Sequence, residues 1–193
     1  MIFHHKHRGE GGTSSINQLA VLGGGMMGRG IAIALAQADL PVILWTRQEE
    51  RKIQRKIEAT LQQDFQAPPL GQEEKERINC NIYITSELSL IAESDLVIEA
   101  VVESLSIKKK LFNVLSHLCT PSTVLAATTA THDIDEIASK TSYPERVVGV
   151  HFFNPAYRTP VIEVACAGQT SEEALSLIKE LAMIMKKEVV RVQ

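Results

Sequence analysis

The sequence is poor in cysteine, with only Cys80, Cys119 and Cys166 among 193 residues. The number is odd, the spacings are wide and no Cys-x-x-Cys pair occurs, which argues against a disulfide framework or a zinc site. The three read as reduced core thiols of a cytoplasmic protein. An excess of positive charge is also lacking. The formal net charge is -3, a poor basis for nucleic-acid binding, which runs on phosphate neutralisation. No apolar run approaches the ~18–20 residues of a membrane span. No apolar stretch follows the basic N-terminal residues, so no secretory signal is read. What is present is 45% apolar and 22% charged residues, the mixture of a globular domain. Such a chain buries about 70% of its unfolded surface.

Residues 1–15 are polar, glycine-rich and unpatterned. They read as a disordered leader, and His4, His5 and His7 within it as part of that leader rather than as metal ligands. Residues 16–193 read as one domain. Strand and helix patterns alternate along it. Leu19–Leu22 is an apolar run that stops at glycines, and a helix pattern follows from Met27 to Ala38. Val42–Trp45 is the next run. Ile53, Ile57 and Leu61 then fall at i, i+4 and i+8, one apolar stripe on a polar helix. Pro68, Pro69 and Gly71 break the chain. Ile82 and Ile84, then Leu96–Ile98, predict strands, and Ile107–Leu118 predicts a helix. Val124–Ala126 and Val147–Val150 predict two more strands. Thr170-Ser171-Glu172-Glu173 reads as a capping box opening a helix to Lys187, and Val189, Val190 and Val192 suggest a last strand. The alternation implies an α/β, doubly wound, mostly parallel sheet of Rossmann type. Val161–Val164 breaks it: the preceding strand is too near for a parallel crossover, so this pair is expected to be antiparallel.

Gly23-Gly24-Gly25-Met26-Met27-Gly28 contains G-x-G-x-x-G between a strand and a helix, the context a dinucleotide site requires. The glycines allow a tight turn, backbone approach to a pyrophosphate, and close helix–strand packing. The helix start supplies amide donors. About 20 positions on, an acid usually reads the ribose 2′-hydroxyl of NAD. Here the residues are Thr46 and Arg47. Thr46 suits a ribose hydroxyl; Arg47 suits the 2′-phosphate of NADP or plain solvent exposure. NAD is the expected cofactor and NADP stays open.

His151-Phe152-Phe153-Asn154-Pro155 precedes Glu163 by a loop. If the two strands pair antiparallel about Tyr157, His151 faces Glu163. A carboxylate beside a histidine orients the ring and favours its protonated form, which suits a general base for a substrate hydroxyl. A purely structural His–Glu pair fits the same spacing. Arg51, Lys52, Arg55 and Lys56 read as a solvated helix face, with coenzyme A phosphates as the alternative. Lys108-Lys109-Lys110 reads similarly, and His117 as a surface residue.

Three segments resemble the NAD-binding domain of 3-hydroxyacyl-CoA dehydrogenases: Gly23 to Ala32, Val97-Ile98-Glu99-Ala100-Val101-Val102-Glu103, and His151 to Pro155 with Val161–Val164. The resemblance runs from Ile16 to Gln193. It implies that His151 is the acid/base oxidising a 3-hydroxyacyl thioester to the 3-keto form, that Glu163 orients it, and that Asn154 stands nearby. It places Ala100, Glu103 and Lys108 beside the dinucleotide with the glycine turn, and Thr128, Ala130 and Thr131 beside the substrate.

The chain departs from the family in three ways. Thr128-Thr129-Ala130-Thr131 replaces the usual Asn-Thr-Ser-Ser, so Ala130 stands where a substrate-binding serine is expected; His132 is a remote substitute for it. Thr46 replaces the ribose-binding acid. The family's following all-helical domain, which completes the acyl site and most of a dimer interface, is absent through Gln193. The expectation is therefore an oxidoreductase domain weakly active or inactive until a helical domain completes it, in cis, in trans or through a homo-oligomer. The alternative is a non-catalytic dinucleotide-binding remnant or interaction module. A dehydrogenase of free hydroxy acids shares the glycine turn but not the His-Phe-Phe-Asn-Pro segment. The substrate implied is an acyl-CoA, with no nucleic-acid or membrane partner.

Overall fold

The computed structural model describes residues 16–63, 70–129 and 133–192. The segment 1–15, with His4, His5 and His7, lies outside the described residues, as do Ala130, Thr131 and His132.

The first half builds β1 (Leu19–Leu22), α1 (Met26–Gln37), β2 (Val42–Trp45), α2 (Glu50–Gln62), α3 (Gln72–Cys80), β3 (Ile82–Thr85) and β4 (Leu96–Glu99). The second half adds α4 (Leu105–Leu118), β5 (Val124–Ala127), α5 (Ile134–Ala138), β6 (Val147–Phe152), β7 (Val161–Cys166), α6 (Glu172–Ile184) and β8 (Glu188–Val192). All eight strands form one sheet in the order β3-β2-β1-β4-β5-β6-β7-β8. Every neighbouring pair is parallel except β6 with β7.

The short strands are apolar throughout because both sheet faces are covered. Side-chain alternation sends Leu19, Val21, Leu44, Ile98 and Val150 to one face, under α1, α2, α3 and α6. Ala20, Leu22, Ile43, Val97 and Leu125 go to the other, under α4 and α5. The α2 stripe is fully used: Ile53, Ile57 and Leu61 are all buried, a contribution of about 5–9 kcal/mol for three side chains of this size.

The chain runs from β1 towards one end of the sheet and from β4 towards the other. Neighbouring β1 and β4 therefore mark a topological switch point, where an open α/β sheet forms its ligand crevice beyond the carboxyl ends of the strands. The antiparallel register is His151 opposite Glu163.

One helix is unexpected, and three expectations need correction. The unexpected helix, α3, carries no apolar stripe; Ile78 is its one buried residue, so periodicity does not announce it. First, α6 is capped by Ser171, whose hydroxyl accepts from the Ala174 amide, and it ends at Ile184 rather than Lys187. Thr170 stands outside it, bonding instead to the Ala167 amide and the Val147 carbonyl. Second, only Cys119 is a core thiol; Cys80 is exposed and Cys166 half-buried, and all three are free. Third, Lys108 is not on a solvated face: it is fully buried. Arg51, Lys52 and Arg55 are exposed, as is His117. Among the described residues, no helix is long and apolar enough to cross a membrane.

Candidate active site

The glycine turn is packed from three directions. Gly23 takes a φ of +121°, a region that L side chains rarely adopt. A Cβ at Gly28 would stand 1.9 Å from the Gly23 carbonyl oxygen, so the helix rests directly on the turn. A Cβ on Gly24 would stand 2.7 Å from Thr46 Oγ1. Arg29 braces the turn from within α1, its Nη1 donating to the Gly24 carbonyl at 2.7 Å. Burial lowers the Arg29 pKa from the ordinary range.

Gly25 is different. A Cβ there would meet nothing within 4 Å. It is the N-cap of α1, and no side chain caps the helix. Met26 extends into solvent, 64% exposed, and Met27 packs partly against the core. Open space before uncapped first-turn amides is the cradle a pyrophosphate needs. The residues present therefore fit a dinucleotide: Gly23, Gly24, Gly25, Met26, Met27 and Gly28 as the phosphate turn, with Ala100 against Gly23 across the crevice. Thr46 and Arg47 follow directly after β2.

The opposite wall is held by a buried ion pair. Glu99 ends β4 on the face that α4 covers. Lys108 Nζ lies 2.8 Å from Glu99 Oε2, 2.7 Å from the Thr128 carbonyl and 3.2 Å from Glu103 Oε2. Thr129 Oγ1 also donates to Glu103. Burial pushes the Glu99 carboxyl up from the usual range, and Lys108 pulls against it. Lys108 thus joins the loop after β4 to the loop after β5. Glu103 is the exposed member of this group, its side chain 44% accessible. Thr128 is held at both ends: its amide donates to the Glu99 carbonyl and its own carbonyl accepts from Lys108.

His151 lies near the carboxyl end of β6, the same end of the parallel strands from which the glycine turn leaves β1. Its Nδ1 is 3.0 Å from Glu163 Oε2. With that nitrogen engaged by the carboxylate, Nε2 is the one left to face a substrate. The Phe153 ring lies 4.5 Å from the imidazole at 55°. The two side chains are 29% and 32% exposed, so the pair is framed but open. Asn154 is exposed on the following loop, before a cis bond to Pro155; none of the hydrogen bonds among the described residues joins it to the pair. Lys187 anchors this loop by donating to the Ala156 and Thr159 carbonyls.

Sequence reasoning did not single out Glu99, Thr129, Arg29 or Lys187. A signal exists for Glu99: a carboxylate closing a wholly apolar buried strand needs a cation, and α4 supplies one. Lys187 and Arg29 act on carbonyls, which no side-chain pattern reveals.

Comparison with known proteins gives the family and the fold. Residues 18–193 match the family model described as 3-hydroxyacyl-CoA dehydrogenase, NAD binding domain. A peroxisomal fatty acid beta-oxidation multifunctional protein of Arabidopsis thaliana is 34% identical over 175 residues, covering 89% of this chain and 24% of that protein. The chain thus spans about a quarter of the length of the curated relatives it matches. The structure of M. tuberculosis FadB2 superposes with a TM-score of 0.87 at 33% identity, over 92% of this chain and 64% of that one. That of 3-hydroxybutyryl-CoA dehydrogenase from Escherichia coli K12 gives 0.85 at 35%, over 92% and 38%. The chain belongs to the 3-hydroxyacyl-CoA dehydrogenase family, matching its NAD-binding domain.

Proposed function

We propose that the chain is the nucleotide-binding and acid/base part of an oxidoreductase that interconverts 3-hydroxyacyl-CoA and 3-ketoacyl-CoA. The carrying observation is the His151–Glu163 pair, 3.0 Å apart, at the carboxyl end of the parallel strands, where the open, uncapped glycine turn also lies. A merely dinucleotide-binding module has no use for that pair. The bound nicotinamide would supply the hydride acceptor in oxidation and the donor in reduction.

His151 takes the proton of the substrate hydroxyl at Nε2 and returns it in the reverse direction. Glu163 holds Nδ1, fixes the ring and offsets the charge that arrives with the proton. Asn154 and Thr128, with Ala130 and Thr131, flank the thioester by resemblance. Glu103 and Lys108 order the loop over the dinucleotide. Residues 1–15 act as a leader and 16–193 as one catalytic-half domain. Free thiols suit a reducing compartment, the cytoplasm among them.

Reacting atoms must be held ~3–3.5 Å apart in a water-excluded site. A pair about one-third exposed does not exclude water. The isolated chain therefore turns over weakly or not at all, and a helical domain in cis, in trans or from a second copy completes it. The test compares acetoacetyl-CoA reduction by the chain alone and by the chain fused to the family's helical domain. The fusion is expected to be active, and His151→Gln in it to lose ~10²–10⁴-fold in turnover with dinucleotide binding kept. An unaffected His151→Gln fusion overturns the assignment. Turnover of ~10 per second by the chain alone overturns the need for a second domain.

A further inference from the structure

The corner beyond β2 departs from a site built for a ribose diol. A carboxylate at the end of this strand ordinarily accepts from the ribose 2′-hydroxyl, and a nearby arginine accommodates a 2′-phosphate instead. This chain ends β2 with Trp45 and continues Thr46-Arg47. Thr46 is buried against the glycine turn, and its Oγ1 accepts from the Gln48 amide at 3.1 Å. That bond turns the backbone sharply and sends Arg47 outward.

An open cleft of about 480 Å³ lies there, lined by Arg47, Gln48, Glu49, Glu50, Arg51 and Ser86. It carries two exposed arginines, and neither makes an ion pair or hydrogen bond with any described residue. The two glutamates do not hold them. Glu50 accepts from the Ser86 amide at 3.2 Å, a bond that ties the start of α2 to the exit of β3. Glu49 is the N-cap of α2 but makes no capping bond, so the first-turn amides of this 13-residue helix add their partial positive charge to the cleft. Lys56 reaches Gln48 Oε1 at 3.5 Å and brings a third cation to the rim.

We propose that this cleft is a 2′-phosphate site, formed by Arg47 and Arg51, and that the chain prefers NADP(H) to NAD(H). The inference rests on the dinucleotide-binding reading above and goes beyond the family's description. An arginine fork matches phosphate oxygens in a two-pronged geometry and neutralises their charge. A ribose diol offers it only neutral hydroxyl acceptors, without the charge that strengthens a guanidinium's bonds to phosphate. Glu49 opposes the phosphate and sets an upper limit on the preference.

The test titrates the 193-residue chain separately with NADPH and NADH, following nucleotide fluorescence, and competes each with 2′,5′-ADP and with 5′-AMP. NADPH is expected to bind at least tenfold more tightly, more steeply weakened by salt, and to be displaced by 2′,5′-ADP far better than by 5′-AMP. Arg47→Ala and Arg51→Ala are each expected to weaken NADPH several-fold and leave NADH within twofold. Glu49→Gln is expected to tighten NADPH alone. Thr46→Asp combined with Arg47→Ala is expected to swing the preference to NADH. Equal or tighter binding of NADH, with the arginine variants silent, overturns this inference and leaves the dinucleotide reading intact. Failure of both nucleotides to bind overturns the dinucleotide reading and this inference with it.

Discussion

Lys108 and Glu99 form an ion pair of 2.8 Å in which neither side chain has any exposed surface. The pair lies beneath the loops that wall the crevice, so it joins the stability of the domain to the shape of its site. Removing one partner of such a pair leaves a buried charge uncompensated and typically costs about 3–5 kcal/mol. Lys108→Met is therefore expected to lower the unfolding free energy by about that much. Replacing both residues with leucine is expected to recover most of the loss, because no charge then remains buried. Urea unfolding of the two variants checks this. A double variant as unstable as the single one would mean that the contact to the Thr128 carbonyl, not the charge pair, dominates.

Two glycines in one turn are expected to separate folding from binding. Gly28→Ala puts a methyl 1.9 Å from the Gly23 carbonyl oxygen, so α1 must lift off the turn. Both the melting temperature and nucleotide affinity should fall. Gly25→Ala meets nothing within 4 Å, at a φ of -69° that alanine adopts freely. Its melting temperature should match the wild type while nucleotide affinity drops at least tenfold. Thermal melts alongside nucleotide titrations decide it, and unaltered affinity in Gly25→Ala would remove the pyrophosphate from this position.

Much of this is legible in the sequence, for identifiable reasons. The register of His151 with Glu163 follows from a short loop centred on Tyr157 and the two-residue pleat, which leave little freedom. The α2 stripe is plain because Ile53, Ile57 and Leu61 stand out in a polar segment. By contrast α3 buries only Ile78, and one residue makes no period. Thr170 and Ser171 are both competent caps, so sequence does not choose between them. Lys108 looks like its lysine neighbours until Glu99 is placed beside it in space. The cysteines carry no pattern, and their burial depends on neighbours remote in sequence.

Those cysteines give a graded chemical probe. Cys80 is exposed, Cys166 half-buried and Cys119 buried. Burial pushes the Cys119 thiol up to about 11, so it carries almost no thiolate at neutral pH, and the thiolate is the reactive form. Iodoacetamide at neutral pH is expected to modify Cys80 first, Cys166 more slowly and Cys119 only after denaturant is added. Peptide mass spectrometry over a time course reads the order. Early labelling of Cys119 would show that α4 opens from the sheet in the native protein.

Lys187 supplies a pH signature for the loop that carries Asn154. Its ammonium donates to the Ala156 and Thr159 carbonyls, and burial lowers its pKa from 10.5. In the window between the lowered value and 10.5, the unfolded chain holds a proton that the folded chain has lost. Stability therefore rises with pH across that window, and the cost of burying the ammonium is fully present below it. Lys187→Met has no such term. The wild-type advantage over Lys187→Met, measured by urea unfolding, should widen as pH climbs towards the ordinary lysine value. A constant difference would mean that the ammonium is well solvated and that the loop is held by other contacts, among them the Glu188 amide to the Pro160 carbonyl.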